Sequence, residues 1–344
     1  MGELTKERET GKPPPPEEVA SDAKLPQVIS SPSWPAPAAE APPQADGSLL
    51  WRLAGIVRTV RPHQWVKNVF VLAPVIFAKE IFAPQLLTRA GSAFLVFCLL
   101  AGAVYTINDI ADVTADRLHP VKRYRPIASG RVPLHVAKFF AVLLVLVSLG
   151  WAFSIAPLFA VVALSYFSLN VAYTMKLKHV AYLDVSCIAA GFVLRVMGGG
   201  FATRIEVSWY LFACTALLAL FLGFGKRRHE LTTASARAGK QRLALEGYTK
   251  RGLDIALSVT SVATLATYLT YTLDAETRAF FKTDWLWPST GLGLLGIWRF
   301  LYIVRNRPKA ESPTQEMLSD GPFVAIVLGY AVLVMWLVYH LQPS

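Results

Sequence analysis

The stretch Asn108-Asp109-Ile110-Ala111-Asp112-Val113-Thr114-Ala115-Asp116 decides how this chain is read. It follows the apolar run Phe94–Ile107 and opens the basic segment Arg117–Arg131. On a helix each residue advances about 100°, so Asn108, Asp109, Asp112 and Asp116 fall within an arc of roughly 100°. One face at the end of a membrane helix thus carries three carboxylates and an amide. Unpaired carboxylates are costly beside lipid. A divalent cation relieves their repulsion, and oxygen-only ligands suit Mg²⁺, which holds substrate phosphates through one or two carboxylates. The alternative is a solvated helix end paired with Arg117, Lys122 and Arg123.

Outward from this stretch, the composition sets the class. The chain has 344 residues, 54% of them hydrophobic, and a net charge of +11, with a mean hydropathy of +0.42. Such a composition is rare in a soluble domain of this size and points to an all-α polytopic membrane protein. The basic residues sit in short loops between apolar runs, which fits membrane topology and speaks against nucleic-acid binding. Cys98, Cys187 and Cys214 all lie in apolar stretches, match no metal-binding spacing and read as packing residues.

Residues 1–48 hold ten of the 22 prolines and lack apolar periodicity. They read as a disordered tail ahead of a catalytic region over 49–344. Leu49 to Val60 reads as an amphipathic helix on the membrane surface, with Arg52 and Arg58 at the headgroups. Nine spans are expected, at 67–83, 87–107, 134–153, 156–174, 183–203, 207–225, 253–273, 285–304 and 321–341. The first is short and interrupted by Pro74. Alternate loops carry the cations: Arg117 to Arg131, then Lys176 and Lys178, then Lys226 to Arg251, then Arg305 to Lys309. The positive-inside rule places these loops and the N-terminal tail in the cytoplasm, in the cell (inner) membrane.

That side gathers the candidate residues. They are the aspartate stretch, Lys67-Asn68, Tyr173 to Lys178 with Asp184, and Lys226-Arg227-Arg228-His229-Glu230. Topology explains the cations but not the aspartates. Arg195 lies far from either end of its span, where an arginine is expensive and should face a polar cavity with an anion. A guanidinium suits phosphate. The alternative is a structural pairing with a carboxylate or a backbone carbonyl. Gly198, Gly199 and Gly200 read as sites of close helix approach.

Asn-Asp-x-x-Asp-x-x-x-Asp, with the following Arg125-Pro126, resembles the first aspartate motif of the UbiA superfamily of intramembrane prenyltransferases. Most relatives carry a second aspartate-rich motif in the loop after the sixth span, and this chain has Lys226 to Glu230 there instead. Together with Arg61-Pro62-x-Gln64-Trp65-Val66-Lys67-Asn68, Tyr173 to Lys178 with Asp184, and Leu194-Arg195, that loop resembles one branch, the decaprenyl-phosphate phosphoribosyltransferases. The resemblance covers roughly residues 50–342. It implies a bundle with a cytoplasm-facing cavity, phosphoribosyl pyrophosphate and a polyprenyl phosphate as substrates, Mg²⁺, and a place in cell-wall glycan synthesis.

On that resemblance Asn108, Asp109, Asp112 and Asp116 are the metal site, and the three aspartates and Asp184 the catalytic carboxylates. Asp184 is expected at a ribose hydroxyl or a second metal. Lys67, Asn68, Arg123, Tyr173, Lys178, Arg195, Lys226, Arg227 and Arg228 are expected to bind substrate, and Glu230 to pair with a neighbouring arginine. Two other readings compete: prenyl transfer from a diphosphate to an aromatic acceptor, and a lipid-phosphate transporter. Oligomeric state cannot be read from the sequence.

Overall fold

The computed structural model describes residues 48–80, 82–236, 243–306, 316–317 and 319–339, and among these the regular structure is helical throughout. The expected tail over 1–48 lies outside the described residues save Ser48, as do Arg237, Lys240 and Arg242 of one basic loop and Arg307 and Lys309 of another. The α-helices are α1 Leu49–Thr59, α2 Ala73–Phe77, α3 Pro84–Ala111, α4 Val113–Leu118, α5 Leu134–Ile155, α6 Pro157–Met175 and α7 Leu183–Thr203. They continue with α8 Trp209–Ala236, α9 Leu243–Glu246, α10 Lys250–Leu273, α11 Ala275–Phe281, α12 Ser289–Asn306 and α13 Gly321–Tyr339.

Among the described residues, seven helices are long and apolar enough to cross a membrane: α3, α5, α6, α7, α8, α10 and α13. Two of the nine expected spans are not among these seven. The span expected at 285–304 is α12, an 18-residue helix that carries Arg299 and Arg305 and falls outside the seven. The span expected at 67–83 is a 3₁₀ helix over Pro62–Leu72 that hands over to α2, with Pro74 in the first turn of α2. A 3₁₀ helix rises about 2.0 Å per residue against about 1.5 Å in an α-helix, so residues 62–77 extend roughly 30 Å. That matches a hydrocarbon core of about 30 Å, and the segment has the reach of a span without the hydrogen-bonding of one.

α3 and α7 are the enclosed helices of the bundle, and α5, α6, α8, α10 and α13 turn more of their surface outward. Phe97 and Leu100 of α3, Phe159 and Tyr166 of α6 and Ala202 of α7 form one apolar core with Val71 of the 3₁₀ helix. Phe221 and Phe224 of α8, Leu253 and Leu257 of α10 and Phe300 of α12 form a second. Lipid-facing apolar surface is normal for a membrane bundle, so Phe139, Leu146 and Phe153 of α5 stand exposed at no cost.

The glycines of α7 act as expected. A Cβ on Gly199 would lie 1.9 Å from the Val71 carbonyl oxygen, and one on Gly198 would lie 2.6 Å from the Phe97 ring. Only glycine lets the 3₁₀ helix and α3 approach α7 this closely. Because successive spans alternate in direction, Arg61, the aspartate stretch, residues 176–184, the C-terminal end of α8 and the N-terminal end of α10 share one end of the bundle.

Candidate active site at the basic end of the bundle

The aspartate stretch is not one uninterrupted helix. α3 stops at Ala111, Asp112 takes φ −89° and ψ 2°, and α4 restarts at Val113. The ladder persists across the junction, since Asp112 N–H donates to the Asn108 carbonyl at 2.9 Å and Asp116 N–H to that of Asp112 at 2.8 Å. The four polar residues therefore stay on one side but split into two pairs. Asp109 and Asp116 are buried and neutralised by arginines. Arg61 Nη2 meets Asp109 Oδ1 at 2.6 Å, and Arg125 Nη1 bridges Asp116 Oδ2 at 2.7 Å and Asp109 Oδ1 at 3.3 Å. Asn108 and Asp112 are partly exposed, and their side chains have no hydrogen-bonding or ionic partner among the described residues. The alternative pairing with Arg117, Lys122 and Arg123 is not found among the described residues: Arg117 Nε donates to the Ala128 carbonyl, and Arg123 stacks on and donates to Tyr124 in an exposed loop.

Arg61 reaches Asp109 from a backbone in the left-handed region, φ 51° and ψ 63°. That conformation is uncommon for a residue with a side chain, and its persistence means the surroundings hold it. The guanidinium also lies over the Tyr105 ring, 5.2 Å from its centroid.

Beside this acid–arginine cluster is a region rich in positive charge. Lys67 is exposed, and the charges that act on it are Lys226, Arg195 and Arg61, all cationic. Arg61 is paired with Asp109, but like charges gathered around Lys67 are unfavourable by themselves and favourable around a polyanion. Lys178, on the 3₁₀ turn after α6, is half-buried and likewise has no acidic partner among the described residues.

Arg195 and Asn68, both expected to bind substrate, hold each other. Arg195 Nε donates to Asn68 Oδ1 at 2.7 Å, Nη1 to the Gly191 carbonyl at 2.9 Å and Nη2 to Tyr166 Oη at 2.8 Å. The Tyr166 and Phe192 rings flank the guanidinium. Asn68 in turn donates to Cys98 Sγ at 3.2 Å. The cost of a mid-membrane arginine is met by an amide, a carbonyl and a phenol, with no carboxylate. Of the readings open in the sequence, the backbone-carbonyl pairing is the geometry found, and Arg195 ties the 3₁₀ helix, α6 and α7 together.

Asp184 and Arg227 likewise close on each other. Asp184 is fully buried, and its Oδ2 lies 2.6 Å from Arg227 Nε, which is 1% exposed. Arg227 also pairs with Glu230, as expected for that glutamate. Tyr248 Oη donates to Asp184 Oδ1 at 2.5 Å and accepts from the Tyr182 N–H at 2.7 Å. Burial first, and then the bond to Asp184, push the Tyr248 phenol well above the usual tyrosine range. Tyr182 opens α7 at φ 65°, another strained position beside a charged cluster. Arg228 is held by Asp254 at 2.8 Å and by Thr232 at 2.6 Å. Tyr173, half-buried at the end of α6, lies close enough to act on Arg227 electrostatically.

Arg61 and Arg125 stand in the sequence motifs without a site role there, and Tyr166 and Tyr248 are functional residues that sequence reasoning misses. Arg125 could be found from its nine-residue spacing to Asp116. Nothing in the sequence marks Tyr248, whose partner is 64 residues away. An open cleft of about 630 Å³, lined by Arg278, Lys282 and Trp285, lies at the opposite end of the bundle from these residues.

The helical bundle, with its acidic stretch and its cations at one end, has a family: residues 69–319 match the UbiA prenyltransferase family, and the chain belongs to it. Among its relatives, the decaprenyl-phosphate phosphoribosyltransferase of Mycobacterium tuberculosis strain ATCC 25618 / H37Rv is 38% identical over 237 residues, covering 68% of this chain and 78% of that protein. The protein of the same name from Corynebacterium glutamicum is 32% identical over 289 residues, covering 83% and 87%. The structure of a UbiA homolog from Archaeoglobus fulgidus bound to DMAPP and Mg²⁺ shares the fold, with a TM-score of 0.59 at 19% identity over 83% of this chain and 99% of that one.

Proposed function

We propose that this protein transfers 5-phosphoribose from phosphoribosyl pyrophosphate to a polyprenyl phosphate and releases pyrophosphate, at the basic end of the bundle on the cytoplasmic side of the cell membrane. The observation that carries the reading is the exposed Lys67, on which Lys226, Arg195 and Arg61 all act as like charges, next to Asn108 and Asp112, whose side chains have no partner among the described residues. Two phosphate-rich substrates need such a surface. The names of the mycobacterial and corynebacterial relatives point to this pair of substrates.

Mg²⁺ fits the residues present. Among the described residues no three acids, histidines or cysteines converge as a cage. One carboxylate and one amide oxygen suit an ion that keeps waters and takes its other ligands from phosphates. Asn108 and Asp112 would hold it. Asp109 and Asp116 are within reach only if Arg61 and Arg125 release them. A bound Mg²⁺ supplies charge neutralisation for a departing pyrophosphate, and the Archaeoglobus relative of the same fold is bound to Mg²⁺.

The protein's own groups do the rest. Lys67 and Lys226 hold phosphate oxygens, and Lys178 and Tyr173 border the site. The lipid phosphate oxygen attacks the anomeric carbon as the bond to pyrophosphate breaks, through an oxocarbenium-like state. A phosphate oxygen is already anionic near neutral pH, so no strong general base is required. Rate comes from positioning and from fixed charge. Arg195 and Asn68 act one layer back, keeping the 3₁₀ helix that carries Lys67 against α7. Asp184 and Arg227 fix the start of α7 to α8.

The test is an assay of purified protein in detergent with radiolabelled phosphoribosyl pyrophosphate, a polyprenyl phosphate and Mg²⁺. Label should enter the organic phase and stop doing so on chelation. Folded protein that leaves the label in water would overturn the reading and move the search to prenyl diphosphates with aromatic acceptors.

A further inference from the structure

The surface of α1 that faces away from the protein is apolar. Leu49, Leu50, Leu53 and Val57 are 72, 78, 47 and 57% exposed, and at 100° per residue they occupy an arc of about 100°. Arg58 and Arg52, both exposed, lie about 80° and 60° beyond the two edges of that arc. Neither guanidinium has a partner among the described residues. The inward face is the small one. Gly55 and Thr59 are buried, and a Cβ on Gly55 would lie 3.0 Å from Arg131 Nε and from Val132 Cγ2. Arg131 grips the first half of the helix, with Nε donating to the Trp51 carbonyl at 2.7 Å and the guanidinium over the Trp51 ring.

A helix built this way is inverted relative to one that packs on a soluble core, where the apolar stripe faces in. Its position excludes solvent as the natural cover. It lies at the end of the bundle where the spans meet the headgroups, and through Arg131 it adjoins α5, whose outer face is exposed Phe139, Val142 and Leu146. An apolar stripe flanked on both sides by arginines places hydrocarbon below and guanidinium groups at phosphate level.

We propose that α1 is seated in the headgroup layer of an anionic bilayer, with Leu49, Leu50, Leu53 and Val57 among the acyl chains and Arg52 and Arg58 on lipid phosphates. The seat does not depend on which substrates the active site takes. It does have a route to that site. α1 runs into Val60, which packs at Gly102 of α3, and then directly into Arg61 on Asp109. The loop that grips α1 through Arg131 also carries Arg125, the bridge between Asp109 and Asp116. Lipid held by α1 therefore steadies both arginines of the acid cluster.

The test places an environment-sensitive fluorophore on Leu50→Cys, in a full-length protein whose three native cysteines are replaced by alanine. The protein is reconstituted in phosphatidylcholine vesicles or in equimolar phosphatidylcholine–phosphatidylglycerol vesicles. In the anionic vesicles, shallow acyl-chain nitroxides should quench the label and aqueous iodide should not. In Arg52→Glu/Arg58→Glu the protection from iodide should be lost, each arginine weakening the seat by about fivefold, while Arg52→Lys/Arg58→Lys keeps it. Iodide quenching of the wild-type chain in anionic vesicles would overturn the proposal. So would equal protection in both lipids and in the glutamate variant, which would leave an apolar contact without headgroup binding. Pyrophosphate release, where the site is active, should be several-fold faster in anionic vesicles for wild type and the lysine variant but not for the glutamate variant. A chain silent in every vesicle would count against the substrate assignment, and the quenching would still decide the seat.

Discussion

Asp109 and Asp112 are three residues apart and have opposite surroundings, so their substitutions should separate chemistry from stability. The Asp112 side chain has no partner among the described residues. Asp112→Ala should lower transfer by about 10²–10³-fold, the scale of one lost charge-stabilising group, with the unfolding temperature within the range of a surface change, about 0.5 kcal/mol. Asp109→Asn leaves Arg61 without its charge partner and only shares Arg125 with Asp116. It should cost activity and also roughly 1–3 kcal/mol of stability, discounted because Arg61 is partly exposed. Thermal unfolding in detergent beside the transfer assay reads both; equal melting of the two variants would contradict the split.

Tyr248 gives a pH prediction. Its folded pKa is raised, so the stability it contributes is whole below the unfolded value of about 10 and is lost as pH rises through the folded value. Wild type should lose unfolding temperature from about pH 10 upward. Tyr248→Phe should start lower at neutral pH, by about 1–2 kcal/mol for the bond lost from Asp184, and fall less steeply over the alkaline window. Parallel alkaline profiles would show that Tyr248 does not carry the effect.

At the scale of elements, the 3₁₀ helix over 62–72 is the part most dependent on its neighbours. It lacks the hydrogen-bond geometry to stand alone at eleven residues. It persists because α7 offers a glycine surface at Gly199 and because Arg195 ties Asn68 to α6 and α7. Gly199→Ala drives a Cβ into the Val71 carbonyl, a backbone atom that cannot step aside, and should destabilise by about 1–3 kcal/mol or more. Because this helix carries Lys67, the Michaelis constant for the lipid should rise before thermal unfolding becomes severe. Gly91→Ala, where nothing lies within 4 Å, is the control and should be silent in both.

For the whole molecule, charge asymmetry predicts orientation. The connections at the end with Lys176 and Lys178 should face the cytoplasm, and the opposite end with Arg204, Asp284 and Trp285 should face outward. A membrane-impermeant thiol reagent applied to intact cells should label Asp284→Cys and spare Lys178→Cys until the membrane is opened. Labelling in the reverse order would invert the topology and put the proposed active site outside.

The sequence by itself determined the membrane class, most of the spans, the ends that carry charge and the family, because each is a local property. Apolar length, loop cations and the Asn108 to Asp116 spacing are written along a few residues at a time. The glycines of α7 and the pairing of Glu230 were legible for the same reason. Tertiary structure decided which charged residues are spent. Arg195, Arg227 and Arg228 look like phosphate ligands in sequence, and each is taken up by partners on other helices or further along its own. Lys67 looks like a helix start and stands without an anion. Only tertiary structure showed that the first span is a 3₁₀ helix leaning on α7, and that the first pair of aspartates to meet arginines is Asp109 and Asp116. Burial of a charge depends on what the rest of the chain brings within about 4 Å, and at separations of 48 to 127 residues nothing local encodes that.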